Sequence, residues 1–251
     1  MKHHNLIGLG FVVAAIIGGL IWADIRAHRP NPQPFVQSSA PKITQTTPKP
    51  AQTTSPKAFD KTQYSLNDPT SIWVVVDKQR PINPKSYAPN DLTSVGSGQY
   101  MRAAAAAAFE QMVSDAKTAG YSLSAESGYR SYDTQVSVYA NEVKNYGQAV
   151  ADSESARPGF SEHQTGWAVD IASPGCIEDC FGTTAASKWV LANSAKYGFF
   201  QRYPADKSVV TGYRNEPWHF RYVGPALAAE IVKSGQTMEE YFGLPAAPDY
   251  L

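Results

Sequence analysis

Charge is scarce in this chain. Charged residues make up 18% of its 251 positions, with 22 Lys and Arg against 22 Asp and Glu, where an average soluble domain carries about 25%. No basic stripe breaks that balance, which argues against nucleic acid as a partner while leaving a charged pocket open. No glycine-rich phosphate loop follows a strand-like run, and no internal repeat is visible. Cysteine occurs only as Cys176 and Cys180, in the segment Cys-Ile-Glu-Asp-Cys. A metal half-site there would need a second His or Cys cluster, and none exists; in an exported chain the spacing reads as one short-loop disulfide, with two buried thiols as the bland alternative. Histidine is nearly as rare. His3, His4 and His28 sit near the N-terminus, so His163 and His219 are the only two left for the rest of the chain.

Present instead is a strong change of composition along the chain. Leu6 to Ala23 is apolar and uncharged, with Lys2 before it and Asp24 and Arg26 after it. Its length lies near the lower end of the roughly 20 residues that cross a bilayer core. No convincing Ala-x-Ala cleavage site follows, and the run is not amphipathic. Residues 1–28 therefore read as an uncleaved membrane anchor, ahead of a cleaved signal segment and of a buried core helix. The flanking charges do not set its orientation, because Arg26 and Arg29 outweigh Lys2. Residues 29–58 interleave Pro30, Pro32, Pro34, Pro41, Pro48, Pro50 and Pro56 with Thr, Gln and Ser. Such a segment buries too little surface to offset chain entropy and is expected to be a disordered, extended linker.

The folded part is expected over residues 59–251. The alanine run Ala103 to Ala108 leads into Phe109, Met112 and Ala116 and stops at Gly120, predicting a helix over about 99–118. Alternation and turn residues predict a short strand from Tyr121 to Ala125 and longer ones over 167–172 and 218–223. Helices are expected over 132–145, 185–196 and, opening on Pro225, 225–233. Without strict strand–helix alternation the fold class is α+β, with a small, mainly antiparallel sheet flanked by helices.

Both remaining histidines lie in dense polar and aromatic clusters, Ser161-Glu162-His163-Gln164-Thr165-Gly166-Trp167-Ala168-Val169-Asp170 and Asn215-Glu216-Pro217-Trp218-His219. A catalytic zinc takes three protein ligands and leaves a position open. His163, Asp170 and His219 would supply such a set, and Asp170 falls in an apolar run where an unpaired carboxylate is costly. Glu216, three residues before His219, could then stand beside a water as general base. Spacing alone leaves the structural alternatives open. Each histidine could be a hydrogen-bonded core residue, Asp170 a cap, Arg130 a surface ion-pair residue, and Tyr203 and Trp218 core aromatics. Gln135 could equally be a solvated helix residue, and Arg157-Pro158-Gly159 either a cleft rim or a turn.

Ser127-Gly128-Tyr129-Arg130-Ser131 with Gln135, then Ser161-x-His163-x2-Gly166-x-Ala168-x-Asp170, then Glu216-Pro217-Trp218-His219 resemble the VanY-type D-alanyl-D-alanine carboxypeptidases, part of the wider LAS group of metallopeptidases. The likeness runs from about Tyr87 to Val223; Asn215 departs from it, standing where a glycine is expected. The resemblance implies a zinc (Zn2+) held by His163, Asp170 and His219, Glu216 as base, and Arg130 polarising the scissile carbonyl. It further implies substrate contacts from Ser161, Gln135, Tyr203 and Trp218. The expected activity is D,D-carboxypeptidase hydrolysis of the terminal D-Ala of peptidoglycan stem peptides, outside a membrane that residues 1–28 would anchor. Alternatives are an L,D-carboxypeptidase acting on tetrapeptide stems, an endopeptidase, a non-catalytic wall-binding module, and a chain released after signal cleavage.

Overall fold

The computed structural model describes residues 59–251. The expected anchor and linker, residues 1–28 and 29–58, lie outside the described residues. Among the described residues no helix is long and apolar enough to cross a membrane.

Strand β1 (Leu92–Ser94) pairs antiparallel with β2 (Tyr100–Arg102), which runs straight into helix α1 (Ala103–Thr118). The helix expected from about Gln99 thus starts later. Tyr100 to Arg102 are held extended by that pairing, and Arg102 Nε donates to Asp91 Oδ1 at 2.8 Å while its guanidinium stacks 4.4 Å from the Trp167 ring centroid. At the other end Gly120, at φ 89°, breaks the helix. Tyr121 N–H still donates to Ala116 O, so β3 begins only at Ser124 and runs to Ser127. Helices α2 (Tyr132–Tyr146) and α3 (Gln148–Glu154) follow, then a 3₁₀ turn at Glu162–Thr165.

Strand β4 (Ala168–Ala172) is the middle of the fold. After it come α4 (Glu178–Gly182), α5 (Ala185–Asn193), a 3₁₀ turn at Ser194–Tyr197, β5 (Phe199–Gln201) and α6 (Ser208–Thr211). The chain ends on β6 (His219–Tyr222), α7 (Pro225–Ser234) and α8 (Met238–Phe242). The helix expected to reach Lys196 yields to the 3₁₀ turn after Asn193, closed by Gly198 in the left-handed region. Cys176 and Cys180 are joined, Cα to Cα 5.1 Å, just ahead of and within α4.

The sheet order is β3-β4-β6-β5, antiparallel throughout, so the architecture is α+β with helices packed around a small sheet. Its register sets the site. Asp170 lies opposite His219 on β6 and opposite Ser127 on β3, where the strand bulges between Ala125 and Ser127. Residues two apart on a strand share a face. Phe220 and Tyr222 of β6 therefore enter the core with Phe109, Ile171 and Phe199, leaving His219 and Arg221 to the polar side.

Gly128 follows the bulge so closely against β2 that an added Cβ would stand 2.3 Å from Tyr100 O. Gly128→Ala should therefore cost about 1–3 kcal/mol, the usual penalty for overpacking. Urea unfolding checks this, and a loss below about 0.5 kcal/mol, the ordinary range of surface substitutions, would contradict so close a seating.

Candidate metal and catalytic site

Three donors meet where the 3₁₀ turn, β4 and β6 converge. Side-chain atoms of His163, Asp170 and His219 all lie within 4.8 Å of one another. Asp170 Oδ2 is 3.2 Å from His163 Nε2, and Asp170 Oδ1 is 3.2 Å from His219 Nδ1. Those distances lack hydrogen-bond alignment, so His163 Nε2 and Asp170 Oδ1 stay buried without a hydrogen-bond partner. The opposite nitrogen of each ring is engaged. His163 Nδ1 lies 2.7 Å from Gly128 O, and His219 Nε2 lies 3.2 Å from Glu162 Oε2. Gly166, left-handed at φ 72°, turns the chain from His163 into β4 and returns its N–H to His163 O.

Two imidazole nitrogens and one carboxylate oxygen, two of the three unpartnered, fit a zinc ion. The electrostatics agree. Burial would raise the Asp170 pKa, but the charges and contacts of His163 and His219 hold it far below the usual carboxylate range. Burial also works against charge on His219, yet Asp170 and Glu162, with Glu216 beyond them, hold its pKa up at about 9. His163 is held neutral by burial and by Arg130, against the pull of Asp170.

Glu216 Oε2 lies 3.5 Å from His219 Nδ1, and burial pushes its carboxyl up to about 8. Its loop is pinned by Glu216 N–H to Tyr203 O at 2.9 Å and by Gln201 Nε2 to Glu216 O at 3.2 Å. Arg130 enters from the segment after β3, its N–H donating to His163 O at 3.2 Å. Its guanidinium reaches Asp170 Oδ2 only at 3.9 Å, and burial draws its pKa below the ordinary value. It therefore has donors to spare.

One cleft of about 460 Å³ is lined by His163, Asp170, His219, Glu216, Arg130, Ser161, Tyr203 and Trp218. Tyr203 packs 4.8 Å from the His219 ring, centroid to centroid, and Arg214 lies 5.0 Å over Trp218. Gln135 stands apart. It is fully buried, and its Nε2 donates to Ala156 O at 2.7 Å. That places it behind the Ser155–Ala156 wall instead of among the lining residues, and also excludes a solvated role. The rim is likewise Ser155 and Ala156, not Arg157-Pro158-Gly159, which forms a turn where Gly159 O accepts from Ile82 N–H at 2.8 Å. Four charged residues to which the sequence motifs assign no role, Glu162, Arg202, Arg221 and Glu239, meet behind His219. Glu162 and Arg221 were visible as charges two residues or fewer from a candidate ligand. Nothing local marked Glu239.

The family model for VanY, D-alanyl-D-alanine carboxypeptidase, matches residues 98–225. The chain belongs to the VanY family. YodJ of Bacillus subtilis is 43% identical over 190 residues, covering 71% of this chain and 69% of that protein. The solved LdcB LD-carboxypeptidase is 43% identical at a TM-score of 0.65, covering 70% of this chain and 87% of its own. A VanY D,D-pentapeptidase from a VanB-type vancomycin resistance cassette, solved with Zn(II), is 32% identical at a TM-score of 0.61, covering 67% and 97%.

In this VanY-family chain the stretch entering Ser161 is tied down through Arg157, which forks onto Asp152 at 2.9 and 2.8 Å. The Arg157 hydrogen bonds hold the Asp152 pKa below its ordinary value. A lowered folded pKa contributes stability above the unfolded value and loses it as pH falls. Asp152→Asn should thus cost about 1 kcal/mol at pH 7, since the pair is partly solvent-screened. The gap to the parent should close below about pH 4. Thermal unfolding across pH reads this; a gap constant down to acid pH would contradict it.

Proposed function

We propose that this chain is a zinc-dependent carboxypeptidase that removes the C-terminal D-alanine from peptidoglycan stem peptides. The observation that carries the reading is the trio of donors around Asp170 with Glu216 and Arg130 on the same cleft. A pure binding module would need neither a buried carboxyl held beside the metal donors nor a guanidinium with an unpartnered buried nitrogen. When bound, zinc supplies Lewis acidity, lowering the pKa of a water and polarising a carbonyl.

The remaining chemistry falls to side chains. Glu216 takes a proton from the attacking water and returns it to the amine of the departing D-alanine. Arg130 meets the negative charge that develops on the carbonyl oxygen as the tetrahedral centre forms, where it counts most in a low-dielectric cleft. Tyr203 and Trp218 wall the peptide in. Burial keeps the Tyr203 pKa well above its ordinary value, so its hydroxyl remains a donor. Ser161, buried two residues before His163, offers a hydroxyl to the substrate's terminal carboxylate, an anion costly to desolvate unless donors meet it. Gln135 contributes from behind, by holding Ala156.

The sequence resemblance pointed to D,D-cleavage. The higher identity to an LD-carboxypeptidase, 43% against 32% for the D,D-pentapeptidase, supports the L,D reading on tetrapeptide stems over it. We place the activity outside the membrane, where the stem peptides lie, with residues 1–28 as the anchor; the Cys176–Cys180 bond supports an oxidising compartment.

Three measurements test the reading. Mass spectrometry of defined stems should show D-alanine released from the tetrapeptide faster than from the pentapeptide. Amidating the peptide C-terminus should remove most of the activity. Equal cleavage of amidated and free-acid stems would give first place to the endopeptidase. Glu216→Gln should keep zinc and fold but lower kcat by about 10²–10⁴-fold, the usual worth of a general base. A loss below about tenfold would remove Glu216 from that role.

A further inference from the structure

Behind His219 lies a buried network of charge that the proposed reaction never touches. Glu162 Oε1 accepts from Arg202 Nε and from Arg221 Nη1, each at 2.9 Å. Arg202 forks onto Glu239, with Nη1 at 3.0 Å from Oε2 and Nη2 on Oε1. Arg221 Nη2 donates to Ile72 O at 3.1 Å and Val74 O at 2.8 Å. The side chains of Glu162, Arg202 and Arg221 are fully excluded from solvent, as is that of Glu239. Two guanidinium groups and two carboxylates cancel, so the network is neutral in itself.

Stability does not explain such an arrangement. Desolvating four charges costs several kcal/mol per ion, and apolar side chains of similar volume often serve a core as well or better. The network meets the cleft at two places: Glu162 Oε2, at 3.2 Å from His219 Nε2, and the Arg202 guanidinium, 5.0 Å over the Tyr203 ring; only the first is a hydrogen-bond contact with a metal-donor side chain.

We propose that Glu162, clamped by Arg202 and Arg221, is a positioning residue that fixes His219 with its N–H on Nε2 and its lone pair on Nδ1, facing the metal. This rests on the zinc reading above. A neutral imidazole carries one donor and one acceptor nitrogen, and an ionised carboxylate can only accept. Glu162 therefore draws the proton to Nε2. The freed Nδ1 points to the side where Asp170 Oδ1 lies at 3.2 Å and Glu216 Oε2 at 3.5 Å. His163 receives the mirror-image treatment from the backbone. The Gly128 carbonyl, 2.7 Å away, accepts a hydrogen bond from Nδ1–H and so leaves the Nε2 lone pair for the metal. The division of labour has a physical reason. Gly128 O is already fixed beside β2, where no Cβ would fit. The acceptor for His219 is a flexible side chain, and it needs the two arginines to hold it still. Arg221 shares a strand face with His219, two residues along β6, so ligand and clamp move as one piece.

The test uses the full chain, stripped with a chelator and titrated with zinc against a competing metal dye, alongside thermal unfolding of the metal-free forms. Glu162→Gln should weaken zinc binding about 10–100-fold, the usual cost of losing a carboxylate behind a histidine ligand. Glu239→Gln breaks the same network one link further out, without touching His219. It should lower the unfolding temperature while leaving zinc affinity close to that of the parent. A merely structural network would instead move zinc affinity in both variants together, and that result would overturn the proposal. Should Glu162→Gln fail to fold, nitrogen-15 histidine spectra of the zinc-loaded parent decide. A proton on His219 Nε2 supports the assignment, and one on Nδ1 overturns it. Unchanged zinc affinity in Glu162→Gln sinks this proposal alone. A parent chain that binds no zinc removes the zinc reading and this one together.

Discussion

A carboxylate set among packed side chains must meet positive charge, and Asp170 imposes that demand on everything around it. It sits on β4, the strand flanked by β3 and β6, with His219 directly across the register. Its two oxygens face two imidazoles at 3.2 Å, yet the aligned hydrogen bonds that would satisfy them are missing. Arg130 comes no nearer than 3.9 Å. An arrangement in which the positive groups approach without closing reads as a socket for a cation, since a core built only for stability would pair such groups tightly or omit them.

The scaffold follows from that socket. The bulge in β3 brings Gly128 and Arg130 past the donors, and Gly166 turns the 3₁₀ strand entry so that His163 and Asp170 converge. β6 presents His219 and Arg221 on one face while Phe220 and Tyr222 anchor the other in the core. The apolar cluster around Phe109, Ile171 and Phe199 thereby holds β4 and β6 in register. On the zinc reading, the ion network around Glu162 holds the orientation of His219. Dispersion and burial set positions to within a strand spacing; directional hydrogen bonds set which nitrogen faces inward.

Much of this was legible in the residues, for reasons that differ by element. The alanine run and its glycine stop announced α1, because helix propensity acts locally. The runs around Asp170 and His219 announced β4 and β6, because a strand crossing a core needs apolar neighbours. Tyr100 to Arg102 misled, since extended conformation there is imposed by pairing with β1 and by contacts to Asp91 and Trp167, which no local rule contains. The short helices α3, α4, α6 and α8 span four to seven residues, too few for a periodic signal. Among site residues, histidine scarcity pointed to His163 and His219, while the wall role of Ala156 and the support from Gln135 depend on tertiary contacts. Glu239 meets Arg202 across 37 positions of sequence, and pairing at that range leaves no local trace.

Zinc occupancy of the parent chain beside that of Asp170→Ala decides whether the socket is real. Dialysis against buffered zinc followed by elemental analysis should find one zinc per parent chain and almost none in Asp170→Ala, with both chains folded by circular dichroism. A parent chain that takes up no zinc, or an Asp170→Ala chain that takes up as much as the parent, would contradict it.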